Sequence, residues 1–257
     1  MGPIALRDYA TGGSTTDNKL NPAIIDLGVA NITLPSALDQ IAMYLAENTT
    51  TPESLASSLH IIFTGGNDAL AVLQGGLNIT GQQLIDAVAS GVDSLQAAGA
   101  AAITLVNLPS LDDTPASRVL TPELSQALDV ITSSYRTGLQ ALESANITNA
   151  DPYEAVNAVR ANAEAYGFNS TTFATPCQLG LSTLEQSLGF QYSKCKDQDS
   201  YVYWDSVCLF TRTLDDATSA LTPSRLILQV HLTTAGHKVF ASIVAGALTA
   251  KGWVKTL

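Results

Sequence analysis

Three short segments hold the residue types that can stabilise a charged oxygen or carry a proton. They are Tyr9-Ala10-Thr11-Gly12-Gly13-Ser14-Thr15-Thr16, then Gly65-Gly66-Asn67-Asp68, then Trp204-Asp205-Ser206-Val207 with His231-Leu232-Thr233-Thr234-Ala235-Gly236-His237. Amides at a glycine turn and an Asn side chain are donors suited to an oxyanion, and a His beside a carboxylate is a common proton carrier. Taken singly, each segment also has a plain structural reading. Gly-Gly before Ser or Thr makes a turn. GGND after an apolar run makes a turn whose Asn or Asp caps a helix. His231 and His237 stand six residues apart and share no helical face, which argues against a metal pair.

In this order along one chain, the segments resemble the blocks of the SGNH (GDSL-type) hydrolases. YATGGSTT resembles the Gly block, GGND the Asn block and HLTTAGH the His block. LPSALDQIAMYL, NLPSLDDTPAS and YGFNSTTFATPC extend the resemblance to fungal secreted GDSL esterases near carbohydrate esterase family 16. The resemblance implies an α/β, three-layer, flavodoxin-like fold with a parallel sheet, as one domain over residues 1–257. It implies Gly13 and Asn67 as oxyanion donors, His231 as the base and Asp205 as the residue orienting it. It implies hydrolysis of carboxylic esters, in particular acetyl esters of plant-wall saccharides, without metal or cofactor. A lipase-like or general carboxylesterase of the same fold is the nearest alternative. A non-catalytic carbohydrate-binding protein on the same scaffold is another.

Elements must carry these segments to one place. Leu59–Thr64 and Ala101–Leu108 read as strands apolar throughout, as in a parallel sheet buried on both faces, and Tyr201–Trp204 reads as a third. Ala23–Asp26 is a weaker candidate, a loop end or short edge element. Helical spacing runs through Pro35–Glu47, through Thr80–Ala98 behind a Thr cap, and from Thr121-Pro122 to about Ser144. Two more helices are expected from Asp151-Pro152 to near Gly167 and over Thr233–Ala250. Strands alternating with helices predict a doubly wound α/β fold, with ligands beyond the carboxyl ends of the strands. GGND and Asp205 both fall there.

Composition narrows the partners. Of 257 residues, 46% are hydrophobic and 14% charged, which suits a folded domain rather than a disordered chain. A net charge of −11 repels phosphate backbones, so nucleic acid is not an expected partner. No run reaches the roughly 20 apolar residues of a membrane span. The expected partner is a small or saccharide ester, and the expected state a monomer. Five N-x-S/T sequons, at Asn31, Asn48, Asn78, Asn146 and Asn169, fit a secreted protein whose signal would lie upstream of Met1. Cys177, Cys195 and Cys208 lack C-x-x-C spacing. By spacing alone they are three thiols, or one bridge and a thiol; the resemblance implies that Cys177 pairs with Cys195.

Two departures stand out. No G-D-S occurs in the chain, so the block that carries the family's nucleophile is missing, together with its strand. Ser14 lies in the Gly block and Ser206 in the Asp block, and neither substitutes for it. The chain as written is therefore expected to be inactive and poorly stable, as a truncated gene product would be. Second, the family spaces its Asp and His as D-x-x-H, whereas Asp205 and His231 are separated by an extra 23 residues, Val207 to Gln229. Val codons begin GT, Gln can be CAG, and Leu221-Thr222 can encode a branch-like CTNAC. The segment is thus expected to be a retained intron read in frame, with Cys208 an incidental thiol. Leu232 stands where the family has Pro.

Overall fold

The computed structural model describes residues 5–26, 29–47, 49–73, 78–111, 121–170, 176–179, 193–194, 197, 200, 203–205, 207–212, 223–229, 232 and 234–254. The chain is mixed α/β. Its centre is a parallel three-stranded sheet in the order β3 (Leu59–Phe63), β4 (Ala102–Val106), β5 (Ile147–Ala150). Two short strands, β1 (Ile24–Asp26) and β2 (Asn31–Thr33), form an antiparallel pair ahead of it.

The helices begin where capping chemistry starts them. In α1 (Ala37–Leu45) the N-cap Ser36 and Asp39 form a reciprocal capping box. In α4 (Gly81–Ala98) Thr80 and Gln83 do the same, and Gly99 at φ 116° ends the helix in the left-handed region. Pro stands in the first turn of α2 (Pro52–Ala56), α5 (Pro122–Ala141) and α6 (Pro152–Ala161), where its missing N–H costs nothing. A short helix, α3 (Gly66–Leu73), follows β3, and a long one, α7 (Thr234–Ala250), closes the chain.

The main core lies between the sheet and helices α4 and α5. Leu84, Val88, Val92 and Leu95 of α4 meet Ile103 and Leu105 of β4 and Leu128, Tyr135 and Leu139 of α5. Each such large apolar side chain contributes about 1.5–3 kcal/mol when fully buried. On the other face, the ring of Phe63 lies 6.1 Å from that of Phe240 on α7. There α6 and α7 share a smaller core of Val156, Val159 and Phe168 with Val239 and Phe240.

Three expectations need correction. Strand β4 is buried on both faces as read, but β3 is not. It forms the edge of the described sheet, and Leu59, Ile61 and Phe63 are 39, 53 and 55% exposed, because among the described residues that face is only partly covered. The strand read at Tyr201–Trp204 is described as β8 (Tyr203–Asp205). It joins β6 (Pro176–Leu179) and β7 (Ser193–Lys194) in a separate sheet and makes no ladder with β3, β4 or β5. The third parallel strand is instead Ile147–Ala150, which a four-residue run of mixed polarity did not reveal.

Candidate functional site

The Gly block is a loop fastened at several points. Ser14 N–H donates to the Thr11 carbonyl at 3.1 Å, which closes a turn around Gly12-Gly13. Gly13 has φ 83°, and a Cβ there would lie 3.3 Å from Leu34 Cδ1, so conformation and space both call for glycine. The next carbonyls serve α1: Ala37 N–H donates to Thr15 O at 2.9 Å and Leu38 N–H to Thr16 O at 3.3 Å. These bonds satisfy amides that a helix start leaves without partners. Gln40 Nε2 also donates to Ser14 Oγ at 3.1 Å.

The Asn block turns out of β3 into α3, as read, with Asn67 and Asp68 inside the first helical turn. Gly65, at φ 99°, turns the chain out of β3 beneath the Tyr135 ring, where a Cβ would stand 3.2 Å from two ring carbons. Asn67 is exposed on the first turn, and its Nδ2 donates to Ser14 O at 2.7 Å. The two blocks, some fifty residues apart in sequence, are thus one structural unit. Among the described residues, the Gly13 N–H and the second Asn67 amide hydrogen meet no acceptor, so both can be offered outward.

Beneath them lies a carboxylate that sequence reading passed over. Asp68 is fully buried. Its Oδ2 accepts from Thr16 N and Thr16 Oγ1, each at 2.8 Å, and its Oδ1 accepts from Asn21 Nδ2 at 3.4 Å. Burial pushes its pKa up, and hydrogen bonds from Thr16, Asn21 and its own backbone N–H pull against that shift. Tyr135 is held far above the usual phenol value, first by burial and then by the Asp68 charge. The only signal for Asp68 in the sequence was its place after Asn67.

The remaining site residues are described in part. Asp205 is the last residue of β8, in parallel register with Gln178 of β6. Cys177 is in β6. His231, the expected base, Ser206 and Cys195, the expected partner of Cys177, lie outside the described residues. Both flanks of His231 are informative. On one side, β9 (Val207–Arg212) pairs antiparallel with β10 (Pro223–Gln229), and the register sets Val207 opposite Gln229. The two described ends of the 23-residue segment are thus antiparallel neighbours, with Val207 two residues after Asp205 in sequence and Gln229 two residues before His231. On the other side, Leu232 packs against the α6–α7 core. His237 is exposed in the first turn of α7.

No three His, Cys, Asp or Glu residues group to hold a metal among the described residues. Among the same residues, no helix is long and apolar enough to cross a membrane. The four described sequon asparagines, Asn31, Asn78, Asn146 and Asn169, are all exposed. A groove of about 390 Å³ between α6 and α7, lined by Val159, Phe168, Val239 and Lys238, includes none of the residues of the Gly or Asn blocks. No protein-family model matches the chain, and no curated protein matches it.

Proposed function

We propose that this chain forms the oxyanion-binding and base-bearing part of an SGNH-type carboxylic ester hydrolase, with acetyl esters of plant-wall saccharides as its substrates. The observation that carries this reading is the direct hydrogen bond from Asn67 to the Gly13-Ser14 turn. It gathers a backbone donor and a side-chain donor, far apart in sequence, beside the carboxyl end of β3. Each donor aimed at a developing oxyanion lowers the barrier by about 3–4 kcal/mol.

Within this reading, a serine hydroxyl attacks the ester carbonyl and His231 takes its proton. Gly13 N–H and Asn67 Nδ2 hold the oxyanion. His231 returns the proton to the leaving alcohol, and Asp205 keeps the imidazole oriented. Water then repeats the sequence on the acyl-enzyme and regenerates the serine. The antiparallel pairing of β9 with β10 supports the Asp205–His231 pairing, because it sets Val207, two residues past Asp205, opposite Gln229, two residues before His231. Among the described residues one edge of β3 has no ladder partner and three of its apolar side chains are exposed, which supports a further strand there to carry the nucleophile.

The test is to sequence the transcript across both ends of this chain and assay its product on 4-nitrophenyl acetate. Turnover that falls by about 100- to 1,000-fold in Asn67→Ala is the expected result. A product without turnover overturns the reading, as does an active product indifferent to Asn67→Ala.

A further inference from the structure

We propose that Asp68 is the positioning residue of this site: its buried carboxylate clamps Thr16 and thereby sets the aim of the Gly13 and Asn67 donors. This rests on the oxyanion-site reading above.

The geometry is a double grip. Two consecutive residues of α3 hold two alternate residues of the loop. Asn67 takes the Ser14 carbonyl at 2.7 Å, and Asp68 takes the Thr16 amide and hydroxyl at 2.8 Å each. Gly13 lies next to this clamp, inside the turn that Ser14 N–H closes on the Thr11 carbonyl. If the Thr16 grip slackens, the Ser14 carbonyl shifts, and the Asn67 amide shifts with it.

The clamp works through the charged form. The donors around the carboxyl group are Thr16 N, Thr16 Oγ1 and Asn21 Nδ2, with the backbone N–H of Asp68 itself. Thr16 has one hydroxyl proton, and an ionised Asp68 receives it. The Thr16 oxygen, 3.2 Å from Thr64 Oγ1, then accepts the Thr64 proton. The donor chain thus runs from the end of β3 through the loop to α3, and every member points at the carboxylate. A protonated Asp68 would bring a second hydrogen into a place built for acceptors, and Thr16 would have to turn. The groups facing the carboxylate are Thr16 and Asn21 of the loop, Thr64 at the end of β3, and Tyr135 of α5. Tyr135 is the titratable one, and it stays neutral throughout the acidic range.

Burial lifts the native pKa of Asp68 above its ordinary value of 3.8, so the clamp should loosen on mild acidification rather than only in strong acid. The experiment is an NMR titration of the whole labelled chain, following the Thr16 and Gly13 amides and the Asn67 side-chain NH2. All three are expected to move with one shared midpoint above 3.8. In Asp68→Asn that shared titration should vanish. Amide exchange at Thr16 should quicken by roughly ten- to a hundredfold, since a hydrogen bond to a charge is lost. A Thr16 amide that titrates while Asn67 and Gly13 stay still would reduce Asp68 to an ordinary buried carboxylate and overturn the proposal. If Asp68→Asn does not fold, the wild-type titration decides alone. No ester enters either readout. A chain that passes here and never turns over ester loses the hydrolase reading and keeps the clamp.

Discussion

Helices α4 and α5 approach closely because glycine stands where they cross, and this makes the sign of a single methyl group predictable. A methyl added at Gly138 would overlap Ile85 Cδ1 outright and stand 2.5 Å from Ile85 Cγ1 and 3.1 Å from Cγ2. Ile85 is 7% exposed and packed in the main core, so it has little room to turn aside. In Gly138→Ala two effects compete. Alanine raises helix propensity by about 1 kcal/mol. Overpacking a filled core costs about 1–3 kcal/mol. The net expectation is a loss of about 1 kcal/mol. Ile85→Ala alone leaves a cavity and should cost about 2–5 kcal/mol. In that background the methyl added at position 138 enters vacated space, and the propensity gain returns in full. Gly138→Ala should then stabilise by about 1 kcal/mol, so the coupling between the two sites is about 2 kcal/mol and the sign inverts. Urea unfolding of the four proteins measures this, provided the slope with denaturant stays constant. The same sign in both backgrounds would refute the packing argument.

Two further outcomes follow from buried polar groups. His60 is nearly buried, with Nδ1 3.2 Å from Ala102 O and Nε2 3.3 Å from the Tyr44 hydroxyl, a pattern that suits the neutral ring. Burial pushes its pKa below 6.5, so the unfolded chain binds the proton more readily. The stability that His60 contributes is therefore complete above pH 6.5 and is lost as pH falls from there through the lower native value. Urea unfolding at pH 5 and 7.5 should show that His60→Gln narrows the difference between the two; an unchanged difference counts against the neutral ring. Arg136 places Nε 2.8 Å and Nη2 2.7 Å from Asp151 Oδ2, and Asp151 in turn caps α6. The pair is about three-quarters buried. Arg136→Lys gives up one of those two charged hydrogen bonds and should cost about 1.5 kcal/mol in thermal or urea unfolding.

What the sequence determined by itself is the set of elements whose causes lie within a few residues. Thr80 with Gln83, Thr121-Pro122 and Asp151-Pro152 mark helix starts, because a cap bonds to an amide two or three positions on. The apolar run Ala102–Val106 reads as a buried strand because burial on both faces leaves no alternation. Gly13 and Asn67 could be named as candidates only through the resemblance of the ordered blocks, since each block alone reads as a turn. What only the tertiary structure decided are the partners, since a ladder hydrogen bond can be made to any extended segment. Ile147–Ala150 is a strand because β4 lies beside it, and Tyr203–Asp205 joins β6 instead of the central sheet. Strand β3 carries the apolar pattern of an interior strand and yet stands at an edge, because pattern reports what a strand could bury and not what is there to cover it. Asp68 is the sharpest case. In sequence it is one more acidic residue at a helix start; in the fold, Thr16 and Asn21 reach it from about fifty residues away and make it the buried anchor of the loop that holds Gly13.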